Sequence, residues 1–351
     1  MKILSVGSLS GISNTCLHRH LALKEIADHI DEVNTTVHPL SLWYRIAYHL
    51  FLYGLPIKLP ENNNENEKII DFVNKNKYDI IWIDKGLTIK KQTLLYIKQR
   101  LPNCKIVSFS PDNMVKRHNQ SQQFIECIPL YDFHITTKSF IIEQFKKLGA
   151  TKVLLANKGY NPQFHYPRIL SEKDYKDFGG DVGFVGTWEK ERCQSLIYLA
   201  THGIKVRVFG SGKWEKYINK YPNLKIEPRG LYKEDYVKSL QAFKISLCFL
   251  RKINGDLVTA RSIEIPACGG FMLAERTKEH QLLFKEGIEA DFFSNDTELL
   301  EKCKYYLSHE DERKAIALKG CQRCKMSDYT NKGMIKKMLR IITSNNEDRI
   351  Y

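Results

Sequence analysis

Asp256 and Glu264, two carboxylates with seven residues between them, mark the segment of this chain best suited to chemistry. Arg261 lies in the same segment and carries a permanent charge on a planar fork of donors, which suits phosphate oxygens. The segment closes with Pro266-Ala-Cys-Gly-Gly270, in which the proline should kink or shorten a helix and the glycines should end it. This layout is expected where a helix start faces a nucleotide diphosphate, so it points to glycosyl transfer.

The helix should begin near Val258 or Thr259, which places Thr259 and Arg261 in its first turn. Unpaired N–H groups and the helix dipole favour an anion there. Glu264, about one turn further along, can accept hydrogen bonds from two vicinal hydroxyls, such as those of a ribose. The alternative is a buried helix in which Arg261 and Glu264 pair with each other at i,i+3. Because these residues coincide with Asp256 and the Gly-Gly ending, the ligand site is favoured.

Short apolar runs alternate with longer amphipathic segments along the chain, which is typical of repeated βαβ units. The predicted strands are Lys2–Gly7, Tyr78–Ile83, Lys105–Phe109, Tyr131–Thr136, Lys152–Leu155, Asp181–Val185, Lys205–Phe209, Leu224–Ile226, Phe243–Phe249 and Gly270–Leu273. We therefore expect an α/β protein with two Rossmann-like, doubly wound parallel-sheet domains. The N-terminal domain should span 1–158, a linker 159–180 and the C-terminal domain 181–328. A C-terminal helix and tail, 329–351, could cross back to the N-terminal domain.

Open parallel sheets bind ligands beyond the carboxyl ends of their strands, so the loops that follow strands are candidate sites. The loop after Gly7 contains Ser8 and Gly11 and is flexible enough for its backbone to approach a substrate. It lacks the Gly-x-Gly-x-x-Gly fingerprint, which disfavours NAD or FAD. A later loop carries Asp112 at its tip, within a Pro-Asp-Asn sequence that is equally common in ordinary turns.

A third loop, Gly183-Phe-Val-Gly-Thr-Trp-Glu-Lys190, should join the first C-terminal strand to its helix. Gly186 and Thr187 would let the backbone approach a phosphate closely. Lys190 or Arg192 could add a cation, although both could equally be solvent-facing charges in the first turn of the helix.

Composition limits the partners. A net charge of +14 over 351 residues indicates attraction to an anion, but no nucleic-acid-binding motif accompanies it, so nucleic acid is disfavoured. The aromatic segment 41–54 is too short to span a bilayer and could lie at its surface, or pack in the N-terminal core, or line an acceptor cleft.

Nine scattered cysteines and a short apolar N-terminus favour a cytoplasmic protein without structural disulfides, with contact at the inner face of the membrane left open. Cys321-x2-Cys324 has no second ligand pair, which disfavours zinc.

Several blocks of the sequence resemble the CgeB-type, spore-maturation-like glycosyltransferases of the GT-B fold, within the group 1 glycosyltransferase superfamily. The resemblance lies in 261–273 and 283–287, in 161–167 and 181–187 upstream, and in 296–307 and 313–320 downstream. It implies two domains that face a central cleft, with a nucleotide-sugar donor bound mainly by the C-terminal domain and the acceptor mainly by the N-terminal one. It also implies that no metal is required.

Retaining enzymes of the wider group carry Glu-x7-Glu, in which the second Glu binds the donor ribose and the first lies near the transferred sugar. Asp256-x7-Glu264 matches this spacing, but Asp256 is one methylene shorter. If the reaction is retaining, the donor phosphate itself can deprotonate the acceptor. If it is inverting, a base is needed, and Asp112, His18 and His20 are the candidates.

The leading hypothesis is a glycosyltransferase that moves a sugar from a UDP-sugar to a glycan, lipid-linked or small-molecule acceptor. A retaining mechanism is slightly preferred. The alternatives are a nucleotide-sugar epimerase of the same fold and a non-catalytic protein that binds glycan or membrane. The predicted site comprises catalytic Asp256 and Asp112, donor-binding Gly186, Thr187, Lys190, Arg229, Thr259, Arg261 and Glu264, and acceptor-binding Ser8, Gly11 and His18.

Overall fold

The computed structural model of the chain describes residues 1–11, 14–36, 41–61 and 63–344. It divides into two compact units. The first unit comprises the described residues of Met1–Asn157 and Asn331–Tyr351, and the second is Lys158–Thr330. Ile12 and Ser13, in the predicted loop after Gly7, and the end of the predicted tail lie outside the described residues.

The first unit is a six-stranded parallel sheet with helices between its strands. Its strands are β1 (Lys2–Gly7), β2 (His29–Asn34), β3 (Ile80–Asp84), β4 (Lys105–Ser110), β5 (Phe133–Thr136) and β6 (Val153–Leu155). Its helices are α1 (Thr15–Lys24), α2 (Leu42–Leu52), α3 (Glu65–Lys75), α4 (Lys91–Arg100), α5 (Gln122–Cys127) and α6 (Ile142–Lys147). The strand order is β2-β1-β3-β4-β5-β6, so the order reverses between β1 and β3.

The second unit repeats this architecture. Its strands are β7 (Gly180–Val185), β8 (Val206–Phe209), β9 (Leu224–Glu227), β10 (Phe243–Cys248), β11 (Met272–Glu275) and β12 (Asp291–Phe293). Its helices are α7 (Glu172–Phe178), α8 (Lys190–Thr201), α9 (Lys233–Ala242), α10 (Arg261–Ala267), α11 (Lys278–Leu283), α12 (Asp296–Ser308) and α13 (Glu310–Met326). The order β12-β11-β10-β7-β8-β9 reverses between β7 and β10. The predicted α/β class with two doubly wound parallel sheets is confirmed.

The central strands could be predicted from the sequence because they are buried and therefore rich in apolar residues. Strand β3 is apolar on both faces, because helices cover both sides of a parallel sheet, whereas β10 alternates apolar residues with Lys244 and Ser246. By contrast β2 has the sequence His-Ile-Asp-Glu-Val-Asn and buries only Val33 fully, and β12 has three residues. Both strands lie at sheet edges and were absent from the sequence prediction.

The segments predicted as a linker and a C-terminal tail each contain a helix that belongs to one of the two units. Residues 159–180 belong to the second unit and contain α7, whose start is fixed by a capping box between Ser171 and Asp174. Helix α14 (Asn331–Thr343) belongs to the first unit, where Ile335 and Met338 pack in the same core as Leu23 of α1. Within the described residues, no helix is both long and apolar enough to cross a membrane.

Candidate active site

Each sheet offers a crevice where its strand order reverses, because the loops from the two adjacent strands leave towards opposite faces. In the second unit these loops follow β7 and β10. The loop after β7 begins at Gly186, and the loop after β10 leads to Arg261 at the start of α10. Gly186 and Arg261, two of the residues predicted to bind the donor, therefore meet at the carboxyl edge of this sheet.

Gly186 is required for close packing at this edge. A Cβ atom at Gly186 would lie 3.1 Å from Nη2 of Arg261 and 2.7 Å from the ring of Phe184. The Gly186 N–H donates to the carbonyl of Phe209 at 2.9 Å, and its own carbonyl accepts from Nε1 of Trp214 at 2.9 Å. The missing side chain thus makes room for the Arg261 guanidinium, while the backbone hydrogen bonds fix the loop.

Arg261 is a cation with unused donor capacity. Its Nε is buried and has no hydrogen-bond partner among the described residues. Its guanidinium carbon lies 5.8 Å from the centre of the Phe184 ring. A buried polar group without a partner is costly, and an anionic oxygen would satisfy this one.

Arg192 holds the surrounding loops together. It is buried, and it donates to the carbonyls of Thr187 at 3.2 Å and Leu250 at 3.0 Å, while Glu189 pairs with it at 3.1 Å. Burial lowers the pKa of Arg192, and the positive charge of Arg261 lowers it further. The Glu189 carboxylate opposes this shift, so Arg192 is partly neutralised within the protein and Arg261 is the cation left for an anionic ligand.

Glu264 is the carboxylate on the same short helix. Its Oε2 accepts a hydrogen bond from the Tyr236 hydroxyl at 2.6 Å, and its Oε1 lies 3.6 Å from Nε2 of His165. Burial and the Glu264 charge raise the pKa of Tyr236 well above its ordinary value, so the phenol stays a neutral donor. The predicted alternative, a direct pairing of Glu264 with Arg261, is not among the ion pairs of the described residues.

Helix α10 begins at Arg261, later than predicted, because Thr259 is held in a different way. The Thr259 N–H donates to Oγ of Ser262 at 3.0 Å, and the Thr259 hydroxyl lies 3.5 Å from Sγ of Cys248. Both groups are therefore directed into a buried network, and Thr259 is only 8% exposed. The prediction that Thr259 lies in the first turn of the helix is wrong.

His280 completes this network beneath the helix. It is fully buried, its Nδ1 lies 2.7 Å from the Glu275 carbonyl and its Nε2 lies 2.7 Å from the Ser262 hydroxyl. A carbonyl only accepts, so Nδ1 carries the proton and Nε2 accepts from Ser262. Burial lowers the pKa of His280 to about 4. The chain Thr259, Ser262 and neutral His280 fixes the start of α10.

We expect this histidine to make the second unit acid-sensitive. The folded pKa of about 4 lies below the ordinary 6.5, so the unfolded chain binds the proton first as the pH falls through that window. Linkage then lowers the free energy of unfolding by about 2 kcal/mol between pH 7.5 and pH 5. Urea unfolding at both values should show a smaller pH dependence in His280→Gln than in the unmodified protein. An equal dependence in the two proteins would contradict the assignment.

Helix α13 packs against α10. The thiols of Cys321 and Cys324 lie 3.8 Å from the carbonyls of Ala267 and Ile263. Pro266 faces Gly320, where an added Cβ would come within 3.3 Å of the proline side chain. The Cys-x2-Cys pair is thus part of the helix packing.

The other predicted donor residues are more dispersed. Asp256 is buried in the loop after β10, where its Oδ1 accepts from the Asn254 side chain at 3.0 Å. Thr187 and Lys190 are exposed at the end of the β7 loop and the start of α8. Arg229 follows β9, with its guanidinium 5.3 Å from the centre of the Phe209 ring, and β8 separates β9 from β7. The structure brings Gly186 and Arg261 together and leaves Arg229 two strands away.

The first unit has its own cavity, of about 290 Å³, at the reversal between β1 and β3. Ser8 and Asp112 line it, together with a buried ion pair in which Arg19 donates to both oxygens of Asp84 at 2.7 and 3.0 Å. Nζ of Lys85 lies 2.7 Å from Oδ2 of Asp112. The cavity therefore combines hydroxyl, carboxylate and cationic groups.

The remaining candidates of the first unit stand apart from this cavity. Gly11 and His18 are not among its lining residues. The ring of His20 lies 2.9 Å from the Ser5 hydroxyl and 2.9 Å from Glu32, and burial lowers its pKa. His20 thus packs between α1 and the adjoining strands, and the structure does not favour it as a base for a substrate in this cavity.

Sequence reasoning missed several residues of both sites. Tyr236 and His165 orient Glu264 from distant segments, and no local pattern marks them. Asp84 did carry a signal, because it ends the apolar strand Ile-Ile-Trp-Ile-Asp at a sheet edge where ligands bind. Arg19 lies in a helix without a distinguishing pattern.

Comparisons with known proteins bear on the family and the fold of the chain. Residues 191–340 match the family described as "Glycosyl transferase-like". No curated protein matches the chain significantly. This match covers less than half of the chain, and the CgeB-type subgroup stays a prediction.

Solved structures share the GT-B fold over nearly the whole chain. Anabaena Alr3699/HepE in complex with UDP-glucose is similar with a TM-score of 0.64 and 13% identity, over 98% of this chain and 99% of that one. Sucrose-phosphate synthase from Thermosynechococcus elongatus gives 0.63 and 11%, over 97% and 98%. A glycosyltransferase from Rickettsia africae gives 0.58 and 14%, over 98% and 99%. At these identities the likeness establishes the fold.

Proposed function

We propose that this protein is a glycosyltransferase that transfers a sugar from a nucleotide-diphosphate-sugar to a hydroxyl acceptor. The observation that carries the proposal is the convergence of Arg261 and Arg192 at the β7–β10 crevice, with the Nε atoms of both buried and without partners among the described residues. Glu264 on the same helix adds a fixed carboxylate one turn away. A cationic pair beside a carboxylate suits a diphosphate joined to a ribose.

The proposed donor contacts follow from this arrangement. Arg261 binds the diphosphate, Gly186 allows that approach, and Glu264 accepts from the ribose hydroxyls. Thr259 supports Arg261 from the buried network, and Asp256 lies near the transferred sugar. UDP is the first nucleotide to test, since Anabaena Alr3699/HepE has been solved with UDP and with UDP-glucose.

The proposed mechanism is retaining and metal-independent. A donor phosphate oxygen accepts the proton of the acceptor hydroxyl as the new glycosidic bond forms and the bond to the diphosphate breaks. The guanidinium of Arg261 stabilises the negative charge that develops on the leaving diphosphate, the role a metal ion plays elsewhere. An inverting reaction would instead need a base, and Asp112 beside Lys85 is then the candidate that lines the first-unit cavity.

The first-unit cavity is the proposed acceptor site. Its polar lining, with Ser8, Asp84 and Asp112, suits the hydroxyl groups of a glycan unit. Gly11 and His18 remain proposed acceptor contacts outside the cavity lining. The acceptor itself can be a free glycan, a lipid-linked glycan or a small molecule.

Release of nucleoside diphosphate from UDP-sugars, measured with and without a panel of soluble saccharide acceptors, tests the proposal. A glycosyltransferase should release UDP faster when its acceptor is present. An epimerase would instead convert the donor without net UDP release, detected by chromatography of the nucleotide sugar. If UDP is not released and UDP does not raise the melting temperature, the result would favour a non-catalytic binding protein.

A further inference from the structure

Helix α2 presents an apolar face to solvent. Leu42, Ile46 and Leu50 are spaced four residues apart and therefore lie on one side of the helix, with Trp43 beside them. In chain order, Leu42, Trp43, Ile46 and Leu50 are 74%, 67%, 45% and 39% exposed. The exposed side of the helix therefore carries a stripe of four large apolar side chains.

The opposite side of α2 already satisfies the packing needs of the helix. Ala47 and Phe51 are buried against Leu59, and Leu87 packs on the same cluster. Leu87 also lines the first-unit cavity. The helix is therefore anchored beside the proposed acceptor site through its buried face, and its exposed stripe is left for another partner.

The apolar exposure is concentrated in this region. Of the 21 large hydrophobic side chains that are exposed in the described part of the chain, seven lie between residues 42 and 55. They include Leu52, the last residue of the helix, and Tyr53 and Leu55, which follow its end. Contiguous exposed apolar surface of this kind marks an interaction site.

The charge around the stripe is positive. No Asp or Glu occurs from Val33 to Pro60, whereas Arg45 and Lys58 are both exposed there. Arg117, also exposed, lies next to the end of the helix, since a Cβ at Gly54 would come within 3.3 Å of its own Cβ.

A groove lined by Trp43 and Lys58 adds two further cations, Lys90 and Lys91. Lys58, Lys90 and Lys91 line it, together with the two carboxylates Glu61 and Glu126. Glu61 pairs with Lys90, and Glu126 lies 3.6 Å from Lys58. The apolar stripe is therefore rimmed by an excess of positive charge.

We propose that the exposed face of α2 binds the surface of an anionic lipid bilayer. The helix has 11 residues and a length of roughly 16 Å at 1.5 Å per residue, too short for a span, so it lies in the plane of the interface. Trp43, Ile46 and Leu50 enter the headgroup region, and the surrounding cations contact lipid phosphates. This surface would place the acceptor cavity next to a membrane.

Co-sedimentation of the full-length protein with vesicles tests the proposal. Vesicles of phosphatidylcholine alone are compared with vesicles that also contain phosphatidylglycerol. Binding should require the anionic lipid and weaken with salt. The double variant Trp43→Ser with Ile46→Asn should bind about tenfold more weakly or less. Leu282→Asn, a 78% exposed leucine in the second unit, is the matched control and should bind normally.

Tryptophan fluorescence gives a second measurement on the unmodified protein. Trp82 and Trp214 are buried, whereas Trp43 is exposed, so a blue shift on adding anionic vesicles that is lost in Trp43→Ser reports insertion of this side chain. Circular dichroism of each variant checks that it is folded.

Three outcomes would overturn the proposal: no binding of the unmodified protein to anionic vesicles, unchanged binding of the double variant, or binding that needs no anionic lipid. Concentration-dependent self-association in sedimentation velocity, abolished by the double variant while vesicles are not bound, would assign the face to a second copy of the chain. None of these assays uses a nucleotide, so their failure is separate from failure of the proposed sugar transfer.

Discussion

Arg261→Met should lower kcat/KM for sugar transfer by about 10²–10³-fold, a loss of about 3–4 kcal/mol of transition-state stabilisation. The guanidinium stands at the β7–β10 crevice with a buried Nε that lacks a partner among the described residues, and charge grows on the diphosphate as it leaves. Methionine keeps the length of the aliphatic stem and removes the charge. Arg261→Lys restores charge without the planar fork and should recover only part of the activity.

Two further variants separate this role from a structural one. Gly186→Ala keeps Arg261 but places a methyl group 2.7 Å from the Phe184 ring and 3.1 Å from Nη2 of Arg261, so it should reduce activity by displacing the ring and the guanidinium. Arg323→Met removes a partly buried arginine from α13 of the same unit and should leave nucleotide affinity unchanged. Initial-rate kinetics and thermal unfolding are measured for all variants. Full activity of a folded Arg261→Met protein would refute the assignment.

Glu264→Gln should weaken UDP binding by about tenfold, which corresponds to about 1.4 kcal/mol. Glutamine is isosteric and still offers Tyr236 an acceptor, so the fold should hold, but an amide accepts from vicinal ribose hydroxyls less strongly than a carboxylate does. Calorimetric titration of the variant gives the affinity, and its melting temperature reports folding.

The 2′-hydroxyl of the ribose allows a sharper test of this contact. The unmodified protein should prefer UDP to 2′-deoxy-UDP, and Glu264→Gln should lose most of that preference. A coupling energy of about 1 kcal/mol in this cycle is expected for a direct hydrogen bond. If both proteins discriminate equally between the two nucleotides, Glu264 acts only through packing against Tyr236 and His165.

Sequence patterns predicted the architecture well where burial is strong. Strand Ile80–Asp84 is a continuous apolar run because both faces of the sheet are covered, and Phe243–Cys248 alternates apolar with polar residues, so both strands stand out in the sequence. The edge strand His29–Asn34 is mostly polar and half-exposed, so its role depends on pairing with β1, which no local pattern contains.

The residues of the candidate site likewise fall into those that a local sequence pattern predicts and those that only tertiary contacts reveal. Arg261 and Glu264 could be found because they share one short segment with a Pro and a Gly-Gly ending. The helix start could not, because it depends on Ser262 and His280, and the histidine lies on another helix. The partners of Glu264 and the buried role of Arg192 likewise arise from tertiary contacts. Local sequence thus indicates which groups are present, and packing decides which atoms remain available to a ligand.

Calorimetric titration with UDP and with UMP tests the central claim most directly, because the two ligands differ only in the terminal phosphate. If the Arg261 crevice binds a nucleotide diphosphate, UDP should bind at least about tenfold more tightly than UMP. That difference should shrink in Arg261→Met, and affinity for UMP should change less. Equal affinity for UDP and UMP in the unmodified protein, or no detectable binding of UDP, would contradict the account.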